Sequence, residues 1–233
     1  MIFSWIPDFK ETFEKQAHEK YLKSTLKMIL APACSKYDPH KMLFLYCCLG
    51  GLRALGVSFD KDSIEGIRLF IENSEMETND MISYAPSPFL KYPLEPRHGD
   101  IITTYLAISC VTMISENSLP ESKRDKIGQC LHAVFQARES SINLREHYAL
   151  CATYKLLKLD IPSHIAESIC NKVLDHQTYD GAFALEPESE SHAAATLCAI
   201  ACLKMLNQLS KISPEKVKRW ALMRQVEYGF SVR

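Results

Sequence analysis

A short apolar segment recurs four times along the chain, and this recurrence constrains the fold more than any other feature. Each copy has small residues in its middle and ends in a leucine-like pair; the copies are residues 48–55, 107–114, 150–157 and 199–206. Their equivalent positions are Leu52, Val111, Tyr154 and Leu203. The separations of 59, 43 and 49 residues fit two helices plus loops. We therefore predict about four helical hairpins, the alternative being four helical cores of coincidentally similar composition.

The apolar residues recur at helical spacing, and no strand-type alternation is sustained. Between residues 13 and 29, one stripe carries the apolar residues while Lys and Glu lie opposite; its members are Phe13, Ala17, Tyr21, Leu22, Leu26 and Ile29. Ser213 and Pro214 have the residue types of a helix start. We predict an all-α chain that forms one domain over residues 1–233.

Composition excludes several classes of partner and location. The formal net charge is -1, so no electrostatic feature favours nucleic acid or an anionic membrane surface. The nine cysteines include no C-x-x-C pair, and most lie in apolar runs, which is typical of reduced thiols. No apolar run reaches 18 residues, and the first residues lack a cationic signal-peptide region. These features predict a cytoplasmic protein without a transmembrane segment.

A histidine stands where a helix is predicted to begin. His192 follows an acidic turn at residues 186–190 and precedes an apolar run that ends at Leu206. Helix N-termini present free N–H groups and partial positive charge, so His192 could donate to a phosphate oxygen there. The alternatives are that His192 caps its own helix or lies on the surface.

At two other places in the sequence an acidic residue precedes a histidine, but no candidate nucleophile is placed to act with either pair. Glu146-His147 and Asp175-His176 are predicted to be solvated helix and loop residues. The common phosphate-binding, dinucleotide-binding, metalloprotease and serine-hydrolase motifs do not occur.

From about residue 13 to its end, the chain resembles the β subunits of the protein prenyltransferases, and the geranylgeranyl type I members in particular. The most specific stretches are Ser191-His192 and Lys218–Gln225. Further similarity lies at residues 13–22, 99–105 and 145–148. The resemblance implies an α–α barrel (a toroid) with about four of the family's six hairpins present. It also implies a heterodimer with a prenyltransferase α subunit.

The resemblance further implies a reaction. Such enzymes transfer a geranylgeranyl group from geranylgeranyl diphosphate to the cysteine thiolate of a C-terminal CaaX box, on proteins such as small GTPases. Zinc is the implied cofactor, and magnesium is a second candidate. The family's zinc ligands would fall beyond Arg233, so no metal-binding residue is predicted within this sequence.

Six residues match functional positions of the family. His192 and Arg233 match diphosphate-binding residues. Four more match the lining of the prenyl and peptide cavity: Leu43, Arg145, Tyr148 and Cys198. Leu43 stands where farnesyl-transferring relatives carry a tryptophan, which favours the longer prenyl group. The competing interpretation is a solvated helix-start charge for Arg145 and plain core packing for Tyr148 and Cys198.

Some positions depart from the family pattern, and other functions stay open. Asp100 replaces a histidine near the peptide carboxylate, and Glu146 replaces an apolar residue of the peptide pocket. One alternative is a non-catalytic helical repeat that binds an α subunit or a prenylated tail. Another is a barrel acting on a free prenyl substrate, for which residues 186–190 are a poor acidic motif. Farnesyl- and Rab-type prenyltransferases are the near relatives.

Overall fold

The computed structural model describes residues 13–32, 35–90, 100–115, 119–227 and 229–232, and α-helices dominate them. In chain order these are α1 (Lys15–Leu30), α2 (Lys41–Ala54), α3 (Lys61–Asn73), α4 (Ile101–Ile114), α5 (Glu121–Arg138), α6 (Leu144–Leu157), α7 (Ser163–Asp175), α8 (Ala193–Met205) and α9 (Pro214–Met223). The strands pair antiparallel as β1 (Glu75–Glu77) with β2 (Ile82–Tyr84) and β3 (Gln225–Val226) with β4 (Gly229–Phe230). Short 3-10 helices cover Ser35–His40, Pro88–Leu90 and Leu209–Lys211. The all-α prediction is confirmed.

The four repeated segments form an inner row of helices. They lie in α2, α4, α6 and α8, which pack side by side in that order, while α1 packs against α2 at one end of the row. Helices with neighbours on several sides need apolar residues on most faces, as the composition of α4 and α8 shows. Small residues permit the close approach: a Cβ on Gly51 would lie 2.9 Å from Leu22.

A second layer covers the outside of this row. Helices α3, α5 and α7 each pack against the inner helix that follows them in sequence. Helices α3 and α5 are more polar than the inner helices, and all three outer helices bury a single face. In α7, for example, burial falls on Ile165, Ile169, Cys170 and Val173, which share one helical face. Together with the packing of α1 against α2, these contacts give four helix pairs, α1–α2, α3–α4, α5–α6 and α7–α8, so the prediction of about four hairpins is confirmed.

Three inner helices begin at the same position of the repeat. Asp100, Asn143 and His192 are the N-caps of α4, α6 and α8, and each lies eleven residues before the equivalent positions used to align the repeats. The N-termini of these helices therefore lie along the same edge of the row. The predicted helix start at Ser213 and Pro214 is also confirmed, because Ser213 Oγ accepts from Lys216 N.

The first helix differs from its sequence pattern. On the predicted stripe only Leu26 and Ile29 are buried, whereas Tyr21 is 67% exposed. Burial is thus confined to the C-terminal half of α1, the half that packs against the rest of the protein. In the described ranges, no helix combines the length and apolar character needed to cross a membrane.

Candidate functional site

Tyrosines occupy the same repeat position on three consecutive inner helices. Tyr46, Tyr105 and Tyr148 are separated by 59 and 43 residues, the spacings of the repeat itself, and Leu197 is the fourth equivalent residue. Tyr46 and Tyr105 hydroxyls are 3.4 Å apart, and Tyr105 and Tyr148 hydroxyls are 3.1 Å apart. Their rings meet in tilted and edge-on geometry with centroids 6.0 and 5.5 Å apart. A chain of three hydroxyls therefore crosses α2, α4 and α6.

Tyr46 and Tyr105 are neutral near pH 7. The hydrogen bond with Tyr105, together with partial burial, raises the pKa of Tyr46 to about 12. Burial and the hydrogen bond with Tyr148 raise the pKa of Tyr105. Each hydroxyl thus satisfies another, so the surface they form presents aromatic rings and no unpaired charge.

Residues one turn before the tyrosines complete a continuous surface, which we call the inner face. The inner face consists of three sets of residues. The first is the three tyrosines with Leu197, the second is the residues one turn before them, and the third is Cys198. The residues one turn before are Leu43, Ile102, Arg145 and Ala194. Leu43 is 42% exposed and Leu197 is 68% exposed, which is unusual for leucines on otherwise buried helices. The outer helices leave this side of the row uncovered.

Arg145 and Cys198 are neighbours across α6 and α8. Burial raises the pKa of the Cys198 thiol, and the positive charge of Arg145 acts in the opposite direction. Arg145 is exposed, while its backbone N donates to the Asn143 cap at 3.0 Å. Three of the four predicted cavity residues, Arg145, Tyr148 and Cys198, thus lie on the adjacent helices α6 and α8. Leu43 lies on α2, and α4 stands between it and the other three.

His192 caps its own helix, as one of the sequence interpretations predicted. Its Nδ1 accepts from Ala194 N at 3.1 Å, while its backbone N donates to Phe183 O at 2.8 Å. An imidazole that accepts through Nδ1 carries its proton on Nε2 when neutral. Within the described ranges Nε2 has no partner, and the ring lines a cavity of about 250 Å³ with Leu185, Ser189 and Glu190. Capping therefore leaves a hydrogen-bond donor free.

The segment that precedes Arg233 lies at the start of the same helix. Ala193 N donates to Val232 O at 3.0 Å, which satisfies one of the free N–H groups at the N-terminus of α8. Arg233 itself lies outside the described residues.

The prediction that Glu146 and His147 are solvated was wrong. Both side chains are buried. Glu146 Oε2 accepts from Asn143 N at 3.0 Å in a capping box, and its Oε1 lies 2.8 Å from Arg138 Nη2. The carboxylate thus serves the start of α6. Asp100 has a similar role, because it accepts from Thr103 N at 2.9 Å at the start of α4.

Sequence reasoning identified Tyr148 but missed Tyr46 and Tyr105. The signal was present, because both lie at the position that the repeat makes equivalent to Tyr148. No group of three or more His, Cys, Asp or Glu residues suited to a metal occurs among the described residues. The part of the chain that is described therefore does not form the zinc site that the resemblance implies.

Comparisons with known proteins agree with this architecture. A family model described as the prenyltransferase alpha-alpha toroid domain matches residues 13–233. The farnesyltransferase β subunit of Arabidopsis thaliana is 23% identical over 91% of this chain, which spans 44% of that protein. The type 1 geranylgeranyl transferase β subunit of the same plant is 26% identical over 93% of this chain, which spans 66% of it.

A solved structure shares the fold. The protein geranylgeranyltransferase-I of Candida albicans, complexed with GGPP, superposes with a TM-score of 0.70 at 23% identity. That similarity covers 93% of this chain and 65% of the other. Two findings lead to one conclusion: the hairpins form a two-layered row, and the family model matches nearly the whole length of the chain. The chain belongs to the prenyltransferase alpha-alpha toroid family, among the β subunits of the protein prenyltransferases.

Proposed function

We propose that this chain binds a prenyl diphosphate and presents it to a protein thiol, as the β subunit of a protein geranylgeranyltransferase. The observation that carries the proposal is the orientation of His192. Its Nδ1 is committed to the helix cap, so Nε2–H is the ring's free donor. A free donor at a helix N-terminus is suited to an anion such as diphosphate.

The diphosphate end of the site is the edge of the row along which α4, α6 and α8 begin. Three aligned helix N-termini add partial positive charge there. Arg145, the second residue of α6, is an exposed cation at the same end. The family resemblance also makes Arg233, which lies outside the described residues, a proposed diphosphate-binding residue.

The prenyl end of the site is the inner face. Its aromatic rings and exposed leucines suit a hydrocarbon chain, whose burial contributes roughly 0.8 kcal/mol per CH₂. Cys198 and Tyr148 would contact the first part of that chain and Leu43 its far part. Leucine at position 43 leaves more room than a larger aromatic residue, which favours a C20 chain over a C15 chain. Both farnesyl- and geranylgeranyl-type proteins occur among the relatives.

The reaction that follows is alkylation of a CaaX thiolate. The thiolate sulfur forms a bond to C1 of the prenyl group, the C1–O bond breaks, and diphosphate leaves with the bonding electrons. His192 Nε2–H would stabilise the charge that develops on the departing diphosphate. An α subunit and CaaX proteins such as small GTPases are the proposed partners.

His192→Asn tests the proposal sharply. Asparagine is a favoured N-cap and already caps α6, so this variant keeps the cap while removing the Nε2 donor. We expect the unfolding free energy to change by less than about 1 kcal/mol. The Kd for geranylgeranyl diphosphate should rise about 10- to 100-fold, because a hydrogen bond to a charged group contributes about 1.5–3 kcal/mol. Equilibrium fluorescence titration measures the Kd for this ligand and the Kd for farnesyl diphosphate.

His164→Asn is the matched control, because His164 is an exposed histidine on the outer helix α7. It should leave the Kd unchanged. The proposal is contradicted if the wild-type chain binds neither diphosphate, or if the two variants weaken binding equally. Tighter binding of farnesyl than of geranylgeranyl diphosphate would instead indicate the farnesyl type.

A further inference from the structure

Ser191, the residue before His192, is the buried centre of a partly buried polar network. Its Oγ donates to Asp180 Oδ2 at 2.8 Å and accepts from Trp220 Nε1 at 2.7 Å. Arg224 Nη2 lies 3.5 Å from the same oxygen and 3.9 Å from Asp180 Oδ2. One hydroxyl thus joins the turn before α8 to the outer helix α9.

The network is charged on both sides of Ser191. Burial opposes ionisation of Asp180, but hydrogen bonds from Thr178, Ser191 and Ala182 N lower its pKa overall. The guanidinium of Arg224 stacks at 5.0 Å from the Trp220 ring. Asp180 is therefore a carboxylate whose acceptor position is fixed, and it holds the Ser191 hydroxyl proton in one direction.

Ser191 also fixes the backbone from which His192 projects. Ser191 forms an isolated antiparallel bridge with Ala184, and His192 N donates to Phe183 O at 2.8 Å. The imidazole then turns back to accept from Ala194 N. A shift of the Ser191 backbone would alter the angle at which Nδ1 meets that N–H group, and hence which ring nitrogen carries the proton.

We propose that Ser191 is a positioning residue for His192, and that its bond from Trp220 couples the outer helix α9 to the donor end of the site. The role in ligand binding rests on the proposed function, whereas the effect on the imidazole does not. The two most family-like stretches, Ser191-His192 and Lys218–Gln225, thereby meet at the Ser191 hydroxyl, which accepts from Trp220 Nε1 and from Arg224 Nη2. No residue of α9 needs to touch the ligand for this coupling.

The test measures which ring nitrogen of His192 carries the proton. The chain is labelled with ¹⁵N-histidine and studied by long-range ¹H–¹⁵N NMR above pH about 8, where an ordinary imidazole is neutral. The wild type should show the Nε2–H tautomer at His192. Ser191→Ala and Trp220→Phe should both populate the Nδ1–H form of His192. The separate variant Ser191→Thr, which keeps the hydroxyl, should show the same spectrum as the wild type.

A matched control separates positioning from general loss of stability. Ser74 is another buried serine, the C-cap of α3, whose Oγ donates to Phe70 O at 2.8 Å, and it lies far along the chain from His192. Ser74→Ala should leave the His192 tautomer unchanged. The Kd for geranylgeranyl diphosphate should rise about tenfold in Ser191→Ala, as expected for a misplaced donor, and not in Ser74→Ala.

Each result decides the proposal. An unchanged His192 tautomer in Ser191→Ala overturns it, as does an equal change in Ser74→Ala. A tautomer that responds to Ser191→Ala and recovers in Ser191→Thr supports it. If that response occurs while the wild type binds no prenyl diphosphate, the positioning role stands and the proposed function fails.

Discussion

Replacing Lys41 by alanine is expected to lower the free energy of unfolding by about 3–5 kcal/mol. Lys41 is the first residue of α2 and is 0% exposed. Its Nζ lies 2.8 Å from Asp38 Oδ1, donates to Ala31 O at 3.2 Å, and stands 5.2 Å from the centroid of the Phe89 ring. Alanine would leave the Asp38 carboxylate buried without a counter-charge and the carbonyl at the end of α1 without this donor.

Urea unfolding followed by circular dichroism measures this effect. Lys61→Ala is the matched control, because Lys61 is the first residue of α3 and is exposed. It should change the unfolding free energy by less than about 0.5 kcal/mol. The double variant Lys41→Met with Asp38→Leu should recover most of the loss, because no charge stays buried alone. A loss below about 1 kcal/mol in Lys41→Ala would contradict the assignment.

A second large effect is expected at His147, whose replacement should flatten the dependence of stability on pH. His147 is 2% exposed, and within the described ranges neither ring nitrogen has a hydrogen-bond partner. Burial, with smaller contributions from the positive charges of His176 and Lys172, lowers the pKa of His147 to about 4. The folded protein therefore holds this imidazole neutral at pH 7.

The sign of the effect follows from linkage. In the unfolded chain His147 takes up a proton near pH 6.5, its ordinary pKa, whereas in the folded chain it does so only near pH 4. As the pH falls between these values the unfolded state binds more protons, so stability falls by up to about 3 kcal/mol. The contribution is complete above pH about 6.5 and is lost as the pH approaches about 4.

His147→Leu removes the titrating group and the unpaired nitrogens while filling similar space. Stability at pH 7 should hold or increase, and the His147-dependent loss on acidification should disappear. His164→Gln, at an exposed histidine, should keep the wild-type pH profile. Urea unfolding at several pH values between about 4 and 8 provides the comparison. A wild-type slope in His147→Leu would show that the imidazole is not the responsible group.

Local patterns predicted the helices because local physics determines them. The four recurring segments became the inner row, since apolar faces on most sides require a buried helix. Ser213 and His192 were predicted at helix starts because capping depends on one side chain and the next three N–H groups. Neither inference needed knowledge of the tertiary structure.

The features that the sequence concealed depend on contacts between distant segments. Glu146 and His147 looked solvated, yet Arg138 pairs with the carboxylate, and the imidazole is buried within electrostatic reach of Lys172 and His176 at the end of α7. The bond between Ser191 and Trp220 joins residues 29 positions apart. The tyrosine chain was the exception, since the repeat spacing alone would have aligned its members.

Photochemical cross-linking can show where a prenyl chain lies on this protein. A geranylgeranyl diphosphate analogue with a photoreactive diazirine on its last isoprene unit would be irradiated with the chain, and labelled peptides would be mapped by mass spectrometry. We expect labels on inner-face residues of α2, α4 and α6, with Tyr46, Tyr105 and Leu43 among them, and we expect these labels to disappear when excess geranylgeranyl diphosphate competes. Labels on the outer helices α3, α5 and α7, or labels that excess ligand does not reduce, would contradict this expectation.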